Sequence, residues 1–344
     1  MKKLLLLLVL FPCCIFAQDK FSAPLPGQLI VRNAVSPSGK MVSLRYEGII
    51  YTAPGMHALW NNTSRLGSEE FDSNNYNTID YVTDDVIIVS GLIFGEEASH
   101  DFILRSTDAG KTWNRVNFGR QSQIDETWFD AKGRGWMSGS SEVIYYTANF
   151  GESWKELKLS EKECRISSLH FMPDGKTGII GSLDGRLFRT GDNCTSWTEL
   201  PTPLSQKKYK DIYNSDRPGL SKMRIIGNCN FYIVSQQGRT FFSNTGNIDW
   251  QRLKGVRDFE VTEDDNLYLI YNDGTVELRN SSMLLQWTAP QKLSLTPHQV
   301  RVRNKVLYVF DTDKVCRIHP GKTEQALMLT NDTPIPGPER TLIS

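Results

Sequence analysis

The stretch RSTDAGKTWNRV, Arg105 to Val116, decides the fold. Its residues are those of a turn between two strands, yet it runs into a tryptophan. The pattern is Ser/Thr-x-Asp-x-Gly-x-Thr/Ser-Trp, met in full by Ser106, Asp108, Gly110, Thr112 and Trp113. An aspartate in a turn accepts hydrogen bonds from backbone N–H groups a few residues on, which pins the loop. The glycine takes a positive φ at little cost. The tryptophan opens the next strand, where its bulk covers the edge of a core. The string then returns. TANFGESW carries Thr147, Asn149, Gly151, Ser153 and Trp154, and TGDNCTSW carries Thr190, Asp192, Ser196 and Trp197, with Cys194 at the glycine position. SNTGNIDW is a weaker copy with Ser243, Asn247 and Trp250, while the strings ending at Trp60 and Trp287 keep little beyond the tryptophan.

The surroundings repeat as well. Each unit reads as four short strands: one ending in a polar turn such as Pro173-Asp174-Gly175, an apolar one, a tight turn such as Asp184-Gly185, an alternating strand, the repeated turn, and a strand that starts at the tryptophan. A period of about 40 residues with four strands is the signature of a propeller blade. The expected fold is therefore all-β, a β-propeller of four-stranded antiparallel blades. Seven units are counted, near residues 25–67, 70–118, 123–160, 165–203, 207–255, 256–291 and 296–332, with six or eight as alternatives. Residues 18–24, or the tail from Thr333, are expected to pair with an end blade, because an open ring leaves strand edges exposed.

These turns resemble the Asp-box, also called the BNR repeat, of secreted β-propellers: sialidases, sortilin-type receptors and the photosystem II assembly and stability factor family. The likeness is greatest to the last group. GWMSGSSEVIYYTANFGESW, from Gly135 to Trp154, follows the rhythm GWxxGxxGxIxxTxDGGxTW of its blades. The resemblance is strong over residues 100–200, moderate to about 290 and faint outside. It implies a seven-bladed propeller that acts as an assembly or binding factor. It carries no photosynthetic role, because the motif concerns turns and not a ligand. A calcium role for these aspartates lacks the cluster of several acids at loop spacing that the ion requires, so the expectation is no metal and no cofactor.

Composition narrows the class. With 39% hydrophobic and 23% charged residues and a formal net charge of +0, the chain has a globular make-up. That balance offers nothing to nucleic acid or to an anionic membrane. MKKLLLLLVLFPCCIFAQ has two lysines, a short apolar run and a small residue before Gln18, which predicts a signal peptide over residues 1–17 and a single exported domain over 18–344, periplasmic, cell-surface or extracellular. No later segment is apolar enough to cross a membrane as a helix. Cys13 and Cys14 raise a lipoprotein alternative, disfavoured by Phe11 and Pro12 where small residues are wanted. Cys164, Cys194, Cys229 and Cys316 would remain. An even number permits disulfides, but the irregular spacing favours buried free thiols.

Loops that do not repeat are where function is expected. LIFGEEASHD, Leu92 to Asp101, reads as an irregular second turn in blade two. Pro203 to Ser221, the link into blade five, carries Lys207, Lys208, Tyr209, Lys210, Tyr213 and Arg217, a basic and aromatic surface suited to a protein or an acidic glycan. Both lie on the face opposite the repeated turns. Inner-strand residues are the other candidates. Asp80, Trp128 and His170 occupy equivalent positions, followed by Tyr81, Phe129 and Phe171, and one of these sets is expected to approach the central channel. The leading expectation is a non-catalytic scaffold that binds a protein partner or assists assembly of an envelope complex. The alternative is a sialidase-like glycoside hydrolase or a carbohydrate-binding propeller. Against hydrolysis, the early arginine lies in LIVRNAV without an Arg-Ile-Pro signature, and no HExxH, GxSxG, P-loop or dinucleotide motif is present.

Overall fold

The computed structural model describes residues 22–24, 30–45, 48–66, 74–94, 99–117, 124–139, 143–159, 164–202, 219–227, 231–236, 238–243, 249–294, 297–331 and 340–341. A short strand β1 (Ser22–Pro24) precedes the first blade, which is β2 (Ile30–Val35), β3 (Met41–Arg45), β4 (Ile49–Ala53) and β5 (Asn61–Leu66). Blade two is β6 (Asn74–Tyr81), β7 (Ile87–Phe94), β8 (Ser99–Ser106) and β9 (Asn114–Val116). Blade three is β10 (Ile124–Phe129), β11 (Gly135–Gly139), β12 (Val143–Thr147) and β13 (Lys155–Lys158). Blade four is β14 (Ile166–Phe171), β15 (Gly178–Ser182), β16 (Leu187–Thr190) and β17 (Thr198–Leu200). Blade five is β18 (Lys222–Ile226), β19 (Phe231–Gln236), β20 (Arg239–Ser243) and β21 (Gln251–Leu253). Blade six is β22 (Val256–Val261), β23 (Leu267–Tyr271), β24 (Val276–Arg279) and β25 (Leu285–Thr288). Blade seven is β26 (Gln299–Arg303), β27 (Val306–Phe310), β28 (Lys314–His319) and β29 (Lys322–Leu327), followed by β30 (Leu329–Asn331) and β31 (Arg340–Thr341). Within each blade the strands pair antiparallel in chain order. The result is a seven-bladed β-propeller.

No blade owns a core. The buried apolar residues form seven clusters among the described residues, and each spans two neighbouring blades. Ile50 and Leu44 of blade one pack with Ile79 and Trp113 of blade two. Trp136 of blade three stacks on Phe171 of blade four, with ring centroids 4.2 Å apart and planes 10° off parallel. Tyr308 and Phe310 of blade seven pack with Met41 and Trp60 of blade one and complete the circle. A four-stranded sheet with two apolar faces must be covered on both, and a ring of sheets satisfies every one of them. Both chain ends reinforce the closure. β1 pairs with β30, Trp60 N–H donates to the Leu329 carbonyl at 2.8 Å, and β31 adds parallel to the outer edge of β5.

The repeated turn works as a hydrogen-bond cradle. Asp108 Oδ1 accepts from the N–H groups of Lys111 (3.0 Å) and Thr112 (2.9 Å), and Oδ2 accepts from the Thr112 hydroxyl (2.7 Å). Ser106 Oγ donates to Asp108 and accepts from Gly110 N–H at 2.8 Å. Asn149 accepts from Ser153 N–H (3.1 Å), and Asp192 accepts from Ser196 N–H (2.9 Å) and hydroxyl (2.6 Å). The position after Asp108 and Ala109 turns left-handed: φ is 90° at Gly110, 74° at Gly151 and 63° at Cys194, which takes the glycine's place and buries its thiol in the cluster that holds Trp136. The aspartate does its work inside its own turn. The tryptophan reaches the neighbour: Trp113 Nε1 donates to Ser64 Oγ of blade one at 2.9 Å, and Trp250 Nε1 donates to the Pro201 carbonyl at 2.8 Å. Asp108→Ala is expected to cost about 1–2 kcal/mol, the loss of a cap of this kind, and Asp108→Asn less, since Asn149 holds the same turn in blade three. Urea unfolding of the three proteins checks the order.

Three features differ from the sequence expectation or refine it. Leu92 to Asp101 is strand at both flanks: β7 runs on to Phe94 and β8 starts at Ser99, pairing Leu92 with Asp101 and Phe94 with Ser99, because the apolar run LIF continues the strand pattern, while residues 95–98 lie outside the described residues. Blade six, which lacks the repeated string, still has its cradle: Asn280 Oδ1 accepts from Ser282 N–H (3.0 Å) and Leu284 N–H (2.9 Å). Cys164, Cys194 and Cys316 are buried free thiols. Cys229, Asn247, residues 1–17 and the link residues 203–218 lie outside the described residues.

Candidate functional site

The innermost strand of every blade faces the ring axis, and the ladder register aligns them. Asp80 pairs with Ile88, Trp128 with Trp136, His170 with Ile179 and Glu260 with Tyr268, each one residue before the end of its strand. In the other blades the channel is lined by Ala34, also one residue before its strand end, and by Arg224 and Arg301, each two residues before theirs. These seven, one per blade, line a cavity of about 860 Å³. The cavity runs from the strand starts, at Asp125, Ser167 and His298, to the first turns, at Pro37, Pro173 and Asn304. Of the sequence candidates, Trp128 and His170 stand here in contact, with edge-to-face rings 5.5 Å apart.

The channel holds a network of buried charge. Arg224 and Glu260 are each 7% exposed. They form a two-pronged ion pair in which Arg224 Nη2 donates to Glu260 Oε2 at 2.9 Å. Arg224 also stands 3.6 Å from Glu126 and donates to the Met223 carbonyl at 2.7 Å. Lys222 donates to Asp258 at 2.8 Å and lies 3.2 Å from Glu260. Burial opposes the charge on Glu260, but Arg224 and Lys222 outweigh it and hold the carboxyl well below its usual range. Burial likewise opposes the charge on Arg224, and Glu260 overrides it and raises the guanidinium.

The other groups answer to burial first. It raises the Glu126 carboxyl against the pull of Arg224, and Glu126 Oε2 accepts from Leu169 N–H at 2.8 Å. It raises the Asp80 carboxyl against Arg301 and against a short hydrogen bond from the Thr127 hydroxyl. Burial, aided by Arg224, drives His170 down to about 3, so the ring is neutral, and its Nδ1 accepts from Ile225 N–H at 3.3 Å. Arg303 spans three blades, donating from blade seven to the carbonyls of Val35 (2.9 Å) and Tyr81 (2.6 Å). Each donor and carboxylate just described has a partner within the ring, which suits shape and hydrogen-bond recognition.

The first turns around one mouth are tied to one another. Lys40 bonds Asp85 at 3.1 Å, Arg134 donates to the carbonyls of Pro173 and Asp174 at 2.9 Å each, and Lys305 bonds Asp264 at 2.8 Å. Sequence reasoning found Asp80, Trp128 and His170 but missed Arg224, Glu260 and Arg301. The same position, carried into blade six, marks Glu260; Arg224 and Arg301 lie one residue earlier in their strands.

Comparison with known proteins agrees with the ring. The family described as photosynthesis system II assembly factor YCF48 matches residues 71–332. The chain belongs to this family. Among YCF48 relatives, the photosystem II assembly lipoprotein Ycf48 of Synechococcus sp. (strain CC9902) is 21% identical over 194 residues, 54% of this chain and 56% of that protein. The match thus spans little more than half the relative's own length. Among solved structures, YCF48 bound to D1 peptide covers 92% of this chain and 96% of its own at 15% identity, with a TM-score of 0.55. YCF48 from Cyanidioschyzon merolae covers 88% and 99% at 15% identity, TM-score 0.58. A chain of the mitotic checkpoint complex is as similar in shape, 0.58 at 11% identity over 90% and 96%. Likeness at that level shows the propeller alone, since one fold hosts many functions.

Proposed function

We propose that the chain is a non-catalytic scaffold that binds a segment of a protein partner in or over its central channel and assists assembly of an envelope complex after export. The observation that carries this is the channel itself: a cavity of about 860 Å³ in which Arg224, Glu126 and Glu260, from three blades, are already partnered. Committed side chains hold a docking surface in place. A proton-transfer site needs a group poised near the working pH, and His170 is far from that. The solved structure of YCF48 bound to D1 peptide supports a peptide ligand. The lipoprotein name of the Synechococcus relative and the apolar N-terminal run support export. Lys207, Lys208, Tyr209, Lys210, Tyr213 and Arg217 are proposed as an accessory surface for the same partner. No observation favours the glycan alternative; a sialidase uses a tyrosine nucleophile, and none lines the cavity among the described residues.

A photocrosslinking residue at position 128, in the channel, and another at position 198, on an outer strand, test the proposal in the native envelope. A discrete protein partner captured from position 128 and absent from 198 is expected. Identical patterns from both positions overturn the channel as the binding site.

A further inference from the structure

We infer that the seam between blades one and seven is a binding site for a small oxyanion of the phosphate or carboxylate kind, held by Arg45 with Asn33, Ser43 and Gln299. In blade one Asn33 pairs with Ser43, and Ser43 with Tyr51. Paired residues on adjacent strands point to the same face, and so does Arg45, two residues beyond Ser43. That face also carries Val35, Met41 and Ala53, which pack against Tyr308, Phe310 and Val315 of blade seven. The polar set therefore looks into the closing interface of the ring. Gln299 meets it from blade seven, its Oε1 accepting from Asn33 N–H at 2.6 Å.

These side chains are buried and unsatisfied. Asn33 and Ser43 are 0% exposed and Arg45 is 2% exposed. Asn33 Oδ1 and Nδ2, Ser43 Oγ, all three guanidinium nitrogens of Arg45 and Gln299 Nε2 have no hydrogen-bond partner among the described residues. Orphaned buried polar groups are costly, and an uncompensated buried charge is the costliest. Burial lowers Arg45 to about 10, and the charged form still dominates at neutral pH. Among the described residues Tyr51 is the one titratable neighbour acting on it, and no carboxylate there balances the charge. The imbalance is specific: a guanidinium, two amide NH₂ groups and a hydroxyl face a single orphaned acceptor. The missing component must be negative and rich in acceptors, and the planar fork of arginine fits the oxygens of an oxyanion. Asn33 and Gln299 also line the central cavity, which offers a way in. A ligand there would clamp the one interface whose blades are not consecutive in the chain. The inference does not depend on the protein-segment role.

Thermal and urea unfolding of the full chain, with inorganic phosphate or acetate titrated against chloride at constant ionic strength, tests it. The parent is expected to show stabilisation by one of the two probes that rises with the logarithm of its concentration above the dissociation constant, the ratio of unfolded to folded falling about a hundredfold at a hundred times that constant. Arg45→Met is expected to lose that response and to keep only the general salting effect of the anion. Should Arg45→Met not fold, Ser43→Ala takes its place, with a dissociation constant about tenfold higher expected. A parent that responds no more than its variants overturns the inference. So does a crystal structure grown in phosphate that shows only water at Arg45, or a carboxylate of the chain itself.

Discussion

Arg224→Met destabilises the propeller by about 3–5 kcal/mol in urea unfolding, the cost of removing one member of a buried ion pair. It leaves Glu260 and Glu126 without their guanidinium, while Lys222 and the Val261 N–H, each 3.2 Å away, still face Glu260. Glu260→Gln costs less, because Arg224 keeps Glu126 and the Met223 carbonyl. Combining Arg224→Met with Glu260→Leu recovers part of the loss, since replacing a whole buried pair by apolar groups is often close to neutral. The double-mutant cycle then gives a coupling energy that distant sites lack. Additive costs would show that the two residues do not act as a pair. The same variants separate stability from recognition: if the channel binds the partner, capture from position 128 weakens in the double variant even where its stability is restored.

How much of this was legible in the sequence depends on the range over which the chemistry acts. The repeated turns were readable because their bonds are local. Ser106, Asp108, Gly110 and Thr112 satisfy one another within seven residues, so the string is itself the structure. The blade number followed, since each turn marks a third connection and the apolar periods between turns mark strands. The flanks of Leu92 to Asp101 are strand where a turn was expected, because the ladder pairs Leu92 to Phe94 with Ser99 to Asp101 on either side of the glycine and acids that suggest a loop. The channel charges were harder. Arg224 and Glu260 are 36 residues apart and meet only because adjacent blades bring their inner strands side by side. The inner-strand alignment was visible in blades two to four, where Phe or Tyr follows each candidate. It fades where the following residue is Ile225, Val261 or Val302 and the turn shortens, as at Asn304-Lys305. The seam site at Arg45 had no sequence signal, for an arginine at a strand end usually reaches solvent.

Acid is expected to weaken the fold through His170. The unfolded histidine has an ordinary value near 6.5, whereas the folded one is held at about 3 by burial and by Arg224. A folded value below the unfolded one means that, as pH falls through 6.5, the unfolded chain takes up a proton that the folded chain refuses. Stability then falls by about 1.4 kcal/mol per pH unit, so between pH 6.5 and pH 4 the histidine alone removes about 3 kcal/mol. The raised carboxyls of Asp80 and Glu126 work in the opposite sense, because they take up protons more readily when folded. Glu260, held low, adds to the loss only below about pH 4.5. The comparison is therefore made within one background. His170→Asn keeps an acceptor for Ile225 N–H and removes the titration. Urea unfolding at pH steps from 7 to 4 should show the parent losing stability more steeply than the variant by about one proton's worth of slope from pH 6 to pH 4. Parallel curves would mean that His170 takes its proton in the folded ring, and the channel at Trp128 would then have to open to water to admit it.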